Sequence, residues 1–126
     1  MKELLVVGVG GFVGAIARYG ISGLVHRFYG GPFPLGTLAV NVLGCFVLGG
    51  LMTLVEDRQL LAPTTRLFLT IGLLGSLTTF STLGYETVAL LRDAEIRLAA
   101  MSFFANGLLG LAAVFLGRAT TGMLGA

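Results

Sequence analysis

The chain has 126 residues, of which 56% are hydrophobic and only 11% charged, against about 25% charged in an average soluble domain. Mean hydropathy is +0.95, which excludes an ordinary water-soluble domain and predicts an integral membrane protein. The formal net charge of +2 is too small and too scattered for a nucleic-acid partner, and the single cysteine, Cys45, has no second cysteine in the chain to bond and reads as a small buried hydrophobe.

Apart from Arg18, Glu86 and Arg118, the charges fall in four places and divide the chain. Lys2 and Glu3 open it; His26 and Arg27 precede the turn signal Gly30-Gly31-Pro32-Phe33-Pro34; Glu56, Asp57 and Arg58 lead to Pro63 and Arg66; Arg92, Asp93, Glu95 and Arg97 form the last cluster. Between them lie apolar runs at roughly 4–25, 36–55, 67–91 and 98–117. Each reaches or approaches the roughly 20 residues that a membrane helix needs. The reading is all-α: a single membrane domain over 1–126 with four transmembrane helices joined by short loops.

The first run continues through Gly14 to Arg18 and Tyr19 without a small-x-small cleavage site, so it is expected to stay in the protein as a span. Its segment Gly8 to Gly14 resembles a dinucleotide fingerprint only in part, because Val13 stands at the third glycine position and no strand–helix alternation surrounds it. The chain holds 20 glycines. Inside lipid these let helix backbones approach closely, and Gly10 with Gly14, and Gly110 with Gly117, are expected to form such stripes. Arg18 is either a group that concentrates anions at an entrance or a snorkelling anchor.

Polar groups inside a span are costly and face a bundle interior or a watery path. In the second span these are Thr37 and Asn41. In the third, Ser76, Thr78, Thr79, Ser81 and Thr82 surround Phe80, and Glu86 follows Thr82 by one turn. In the fourth, Ser102 and Asn106 share a face with Gly110. The third span is peculiar: residues 64–91 would make a helix of about 42 Å, longer than a hydrocarbon core of about 30 Å. Its middle, Gly72 to Thr82, is poor helix material. Either the helix is broken near its middle, with freed carbonyls able to hold a small hard cation such as Na⁺, or it is mildly kinked with hydroxyls bonded to their own helix. Neutral amide and hydroxyl donors, with the positive edge of a phenyl ring, suit a small anion that must also leave.

Four spans place both termini on one side. The Lys/Arg count is then four against four: Lys2, Arg58, Arg66 and Arg118 on one side, Arg18, Arg27, Arg92 and Arg97 on the other. Orientation follows a Lys/Arg excess. Without one, either the chain inserts both ways up and pairs as an antiparallel dimer, or a long-range feature decides.

Three blocks, taken together, resemble the Fluc (CrcB) family of fluoride channels. They are Gly10-Gly11-Phe12-Val13-Gly14-Ala15-Ile16-Ala17-Arg18-Tyr19, Gly36-Thr37-Leu38-Ala39-Val40-Asn41-Val42-Leu43-Gly44, and Gly75-Ser76-Leu77-Thr78-Thr79-Phe80-Ser81-Thr82 with Glu86 following. The third is the specific one. The resemblance implies a fluoride-specific channel of the cell membrane that passively exports fluoride and lowers its cytosolic level. It implies an antiparallel dual-topology homodimer with two pores and a central structural Na⁺. Carried over, Asn41 is the pore asparagine and Phe80 the first of two pore phenylalanines. Thr37, Ser81, Thr82 and Glu86 form the polar track, with Ser102 and Asn106 at the fourth span's pore positions. The backbone oxygens of Gly75 and Thr78 hold the Na⁺. The second pore phenylalanine falls at Leu83, a departure that makes one subunit of a heterodimer the alternative. A small dual-topology multidrug exporter is the other rival, but it needs a carboxylate in the first span, and residues 4–25 contain none. A non-transporting assembly factor would not need polar residues in three spans, and no nucleophile–base pair or cofactor loop suggests an enzyme.

Overall fold

The computed structural model describes residues 1–124 and builds four helical spans long and apolar enough to cross a membrane. Helix α1 runs Lys2–Tyr29. Helix α2 runs Leu35–Met52 and continues through a π-helical turn, Thr53–Asp57. The third span, Pro63–Arg92, comes in two pieces. Its first piece, α3, has α-helical turns at Pro63–Arg66 and Gly75–Leu77 flanking a π-helical stretch, Leu67–Leu74. Its second piece, α4, is Phe80–Arg92, and α5 is Ile96–Met123. Among the described residues there is no strand.

Local chemistry sets the ends. α1 stops where Gly30 turns left-handed at φ 56°, returning its N–H to the carbonyl of His26, a conformation that costs glycine nothing. Pro63 opens α3 at the position where its missing N–H is not needed. Each span overruns the apolar run that predicted it. α1, for example, has 28 residues, about 42 Å, so its ends project beyond a hydrocarbon core of about 30 Å.

The bundle is drawn together by glycine at two crossings. α1 meets α3 where Gly10 and Gly14 are buried: a Cβ on Gly10 would lie 2.6 Å from the Phe68 carbonyl oxygen, and one on Gly14 would overlap the carbonyl of Leu73. α2 meets α5 where a Cβ on Gly117 would overlap the Phe46 carbonyl, and one on Gly49 the backbone of Val114. Backbones in contact are how helices associate in lipid, where apolar burial alone gives no preference. Val40, Leu74 and Leu77 form the small core between these crossings. Large apolar side chains such as Phe12, Ile16, Ile71, Leu108 and Phe115 face outward, as a lipid-facing surface requires. At the end of the bundle where the second span and α5 finish, Arg118 pairs with Glu56 and Asp57 at 3.1 and 3.2 Å. Arg58 donates to the carbonyls of Thr121 and Gly122 at 3.0 and 3.1 Å, capping α5.

The third span is broken, not merely kinked. Thr78 (φ −81°, ψ 153°) and Thr79 (φ −149°, ψ 116°) are extended between α3 and α4. The break falls inside the glycine- and hydroxyl-rich segment where the sequence places it.

Candidate functional site

The break is held open by α2. Asn41 Oδ1 accepts the N–H of Thr79 at 2.7 Å, and Asn41 Nδ2 donates to the Thr79 carbonyl at 3.1 Å. The same Nδ2 donates to Asn106 Oδ1 on α5 at 2.7 Å. An amide has two N–H donors, so both of those on Asn41 are committed. In this arrangement Asn41 is a strut that pins the open chain, and the donors left for a guest belong to its neighbours.

Those neighbours lie on α5. Asn106 Nδ2 donates to the Ser102 carbonyl at 2.9 Å, which leaves its other N–H uncommitted. Ser102 is fully buried and its Oγ has no hydrogen-bond partner. A buried hydroxyl without a partner costs about 1–3 kcal/mol. The face shared by Ser102, Asn106 and Gly110 is buried along its length, as the spacing predicts.

The new helix start supplies hydroxyls. Thr79 is the N-cap of α4: its Oγ1 accepts the Thr82 N–H at 3.2 Å, donates to Thr82 Oγ1 at 2.9 Å and lies 3.3 Å from Ser81 Oγ. Thr79 was visible in the sequence as one of a run of hydroxyl residues, but nothing distinguished it. An N-cap threonine three residues before another donor was the available signal. Further along α4, Glu86 Oε1 accepts from Thr37 Oγ1 at 2.8 Å, while Glu86 Oε2 is buried without a partner.

Two cavities meet at this cluster. The one labelled inner, about 380 Å³, is mostly apolar, opens to the surface beside Phe80 and Gly75, and is also bounded by Asn41, Asn106, Thr78, Thr79 and the buried Leu83. The outer one, about 950 Å³, is bounded by Arg18, His26, Arg27, Thr37, Thr82 and Glu86 among others. Arg18 thus stands at the wall of a vestibule. Not every sequence-derived site residue is gathered in. Ser81 is exposed and borders neither cavity, and Phe80 and Gly75, though they border the inner one, are exposed as well, Phe80 by 76%.

The same break unburdens two carbonyls. In an unbroken helix the N–H of Thr79 would serve the Gly75 oxygen and that of Thr82 the Thr78 oxygen. Here the first goes to Asn41 and the second to the Thr79 side chain. A side chain at Gly75 would meet only the Thr70 oxygen, at 3.7 Å, so this patch of backbone is open to a neighbour. The donor chemistry, neutral oxygens without a carboxylate, fits a monovalent cation better than a divalent one. Among the described residues no group of His, Cys, Asp and Glu is placed to hold a metal.

Comparison with known proteins gives a consistent picture. Residues 5–118 match the model of a family described as CrcB-like protein, Camphor Resistance (CrcB). The chain is 45% identical over 118 residues to a protein of Methanosarcina acetivorans named fluoride-specific ion channel FluC 1, covering 94% of this chain and 89% of that one. It is 41% identical over 119 residues to the fluoride-specific ion channel FluC of Geotalea daltonii, covering 94% and 96%. With the protein of the same name from Dehalococcoides mccartyi it shares 44% identity over 117 residues, covering 93% and 90%.

Proposed function

The chain belongs to the CrcB family, and from that premise we propose that it is a fluoride channel, conducting the anion passively out of the cell. It is a multi-pass protein of the cell membrane, with four apolar spans. The observation that carries the proposal is the uncharged donor set at the break. The hydroxyls of Thr79, Ser81 and Thr82 are linked to one another, Asn41 joins Thr79 to Asn106, and Asn106 keeps a free N–H one turn from the unpartnered hydroxyl of Ser102. A small, hard anion is stripped of water only where several donors replace it, and it leaves only where none of them is a full charge. Arg18 and Arg27 line the outer cavity, where positive charge raises the local concentration of anions.

One protomer carries an incomplete path. Phe80 faces outward and Gly75 is open, which supports assembly of two copies across this face. The even Lys/Arg count supports copies of opposite orientation. In such an antiparallel dimer the unburdened oxygens of Gly75 and Thr78 from both copies hold a Na⁺. The ion stabilises the assembly by binding only to it, and replacing Na⁺ by a large organic cation throughout purification lowers the dimer fraction. Leu83, buried at the wall of the inner cavity, keeps a second reading alive, in which this chain conducts only beside a partner subunit bearing an aromatic ring there.

The test is efflux from liposomes loaded with potassium fluoride, with a potassium ionophore to balance charge. Rapid discharge by the purified chain supports the homodimeric channel, and discharge only with a second CrcB-type chain supports the heterodimer. Silence in both arrangements refutes the function.

A further inference from the structure

The two cavities have one lining residue in common among those described, and it is Thr79. It is 7% exposed, its main chain is clamped on both sides by Asn41, and its hydroxyl is tied to Ser81 and Thr82. The geometry points to Thr79 as the neck between vestibule and inner cavity, the residue whose side chain the permeating anion must pass and whose hydroxyl hands it across. This rests on the reading of the chain as a fluoride channel and assigns within it the place where size is judged.

The argument is one of position and commitment. The vestibule side offers the hydroxyl of Thr82, since Thr37 spends its hydrogen on the Glu86 carboxylate, which only accepts, and the inner side offers the free N–H of Asn106. An anion moving between them loses one set of donors before gaining the other unless a donor reaches both. Asn41 lies at the same level, but its two N–H groups are committed to Thr79 and Asn106. Thr79 has a hydroxyl hydrogen that points to Thr82 Oγ1, 2.9 Å away. A hydroxyl rotates to suit its partner, so this hydrogen swings from Thr82 to the anion and back without breaking the clamp on the main chain. The clamp fixes the Thr79 backbone, and so the width of the neck does not adjust to a larger ion.

Substitutions at Thr79 separate this role from plain helix capping. Native protein and the variants Thr79→Val, Thr79→Asn, Thr79→Ser and Thr79→Ala are reconstituted at equal amounts of folded protein, measured by gel filtration, and fluoride and chloride efflux are followed side by side. Thr79→Val keeps the volume and removes the hydroxyl, so fluoride efflux falls by about tenfold or more, the effect of one unmade hydrogen bond at the barrier. Thr79→Asn keeps a capping oxygen but fills the neck, so its fluoride efflux also falls while its thermal stability stays native. This carries the test if the valine variant does not fold. Thr79→Ser keeps hydroxyl and cap and stays within about threefold of native. Thr79→Ala widens the neck and raises the chloride-to-fluoride ratio. Native-rate fluoride efflux in the valine or asparagine variant overturns the neck while leaving the channel reading intact. So does an alanine variant whose chloride-to-fluoride ratio stays native. A native chain that passes no fluoride, alone or with a partner chain, overturns the channel reading itself and the neck with it.

Discussion

Removing the Asn41 side chain tests the account of the break. Asn41→Ala deletes hydrogen bonds at 2.7, 3.1 and 2.7 Å and orphans the Thr79 N–H, the Thr79 carbonyl and Asn106 Oδ1. A buried group left unpaired costs about 1–3 kcal/mol in soluble proteins. Interhelical hydrogen bonds in membranes average only about 0.6 kcal/mol, because the unfolded chain finds other partners. With two of the three orphans in the main chain at membrane depth, the expected loss is about 2–5 kcal/mol. Reversible unfolding in mixed micelles, by titration with SDS, measures it. Thr53→Val is the control, since that hydroxyl reaches the carbonyls of Gly49 and Arg118 only at 3.5 and 3.4 Å, the limit of a useful hydrogen bond. It is expected to cost less than about 0.5 kcal/mol. An Asn41→Ala variant no less stable than Thr53→Val would mean that the chain reseals the helix, with the Thr79 N–H returning to Gly75, and that α2 does not hold the break open.

Gly14→Ala drives a methyl into the Leu73 carbonyl and is expected to destabilise by about 1–3 kcal/mol. Gly8→Ala meets nothing within 4 Å and is expected to be neutral or to gain up to about 1 kcal/mol; the same SDS titration compares them. Arg118→Ala removes ion pairs whose side chains are 40% and 52% exposed, so its effect stays under about 1 kcal/mol and disappears in high salt. A tag at the C-terminus reports both sides of the membrane in cells, and lysines added to the loop between α4 and α5 pin one orientation; a one-sided tag in the native chain refutes dual insertion.

The spans were legible because an apolar run of about 20 residues has few other uses, and the break because Gly72, Gly75 and the threonines around Phe80 are poor helix formers. The π-helical stretch Leu67–Leu74 left no local mark. Its apolar residues are indifferent to α or π winding, and what it settles is tertiary, the seating of Gly72 against Gly10. Donor types could be read from the sequence but not their commitments. Asn41 looks like a free amide until its partner, a backbone 38 positions away, is in place. The outward face of Phe80 was hidden for a related reason. Periodicity separates a polar from an apolar side of α4, but it does not say whether the apolar side meets lipid, a neighbouring helix or a second copy.

The central claim is that fluoride itself crosses through neutral donors, with no ion exchanged against it. Current across a planar bilayer, with fluoride on one side and chloride on the other, tests this most directly. The account predicts a reversal potential far toward the fluoride equilibrium value and unmoved by a proton gradient. A reversal potential near zero in that bi-ionic condition, or one that follows the proton gradient, would contradict it.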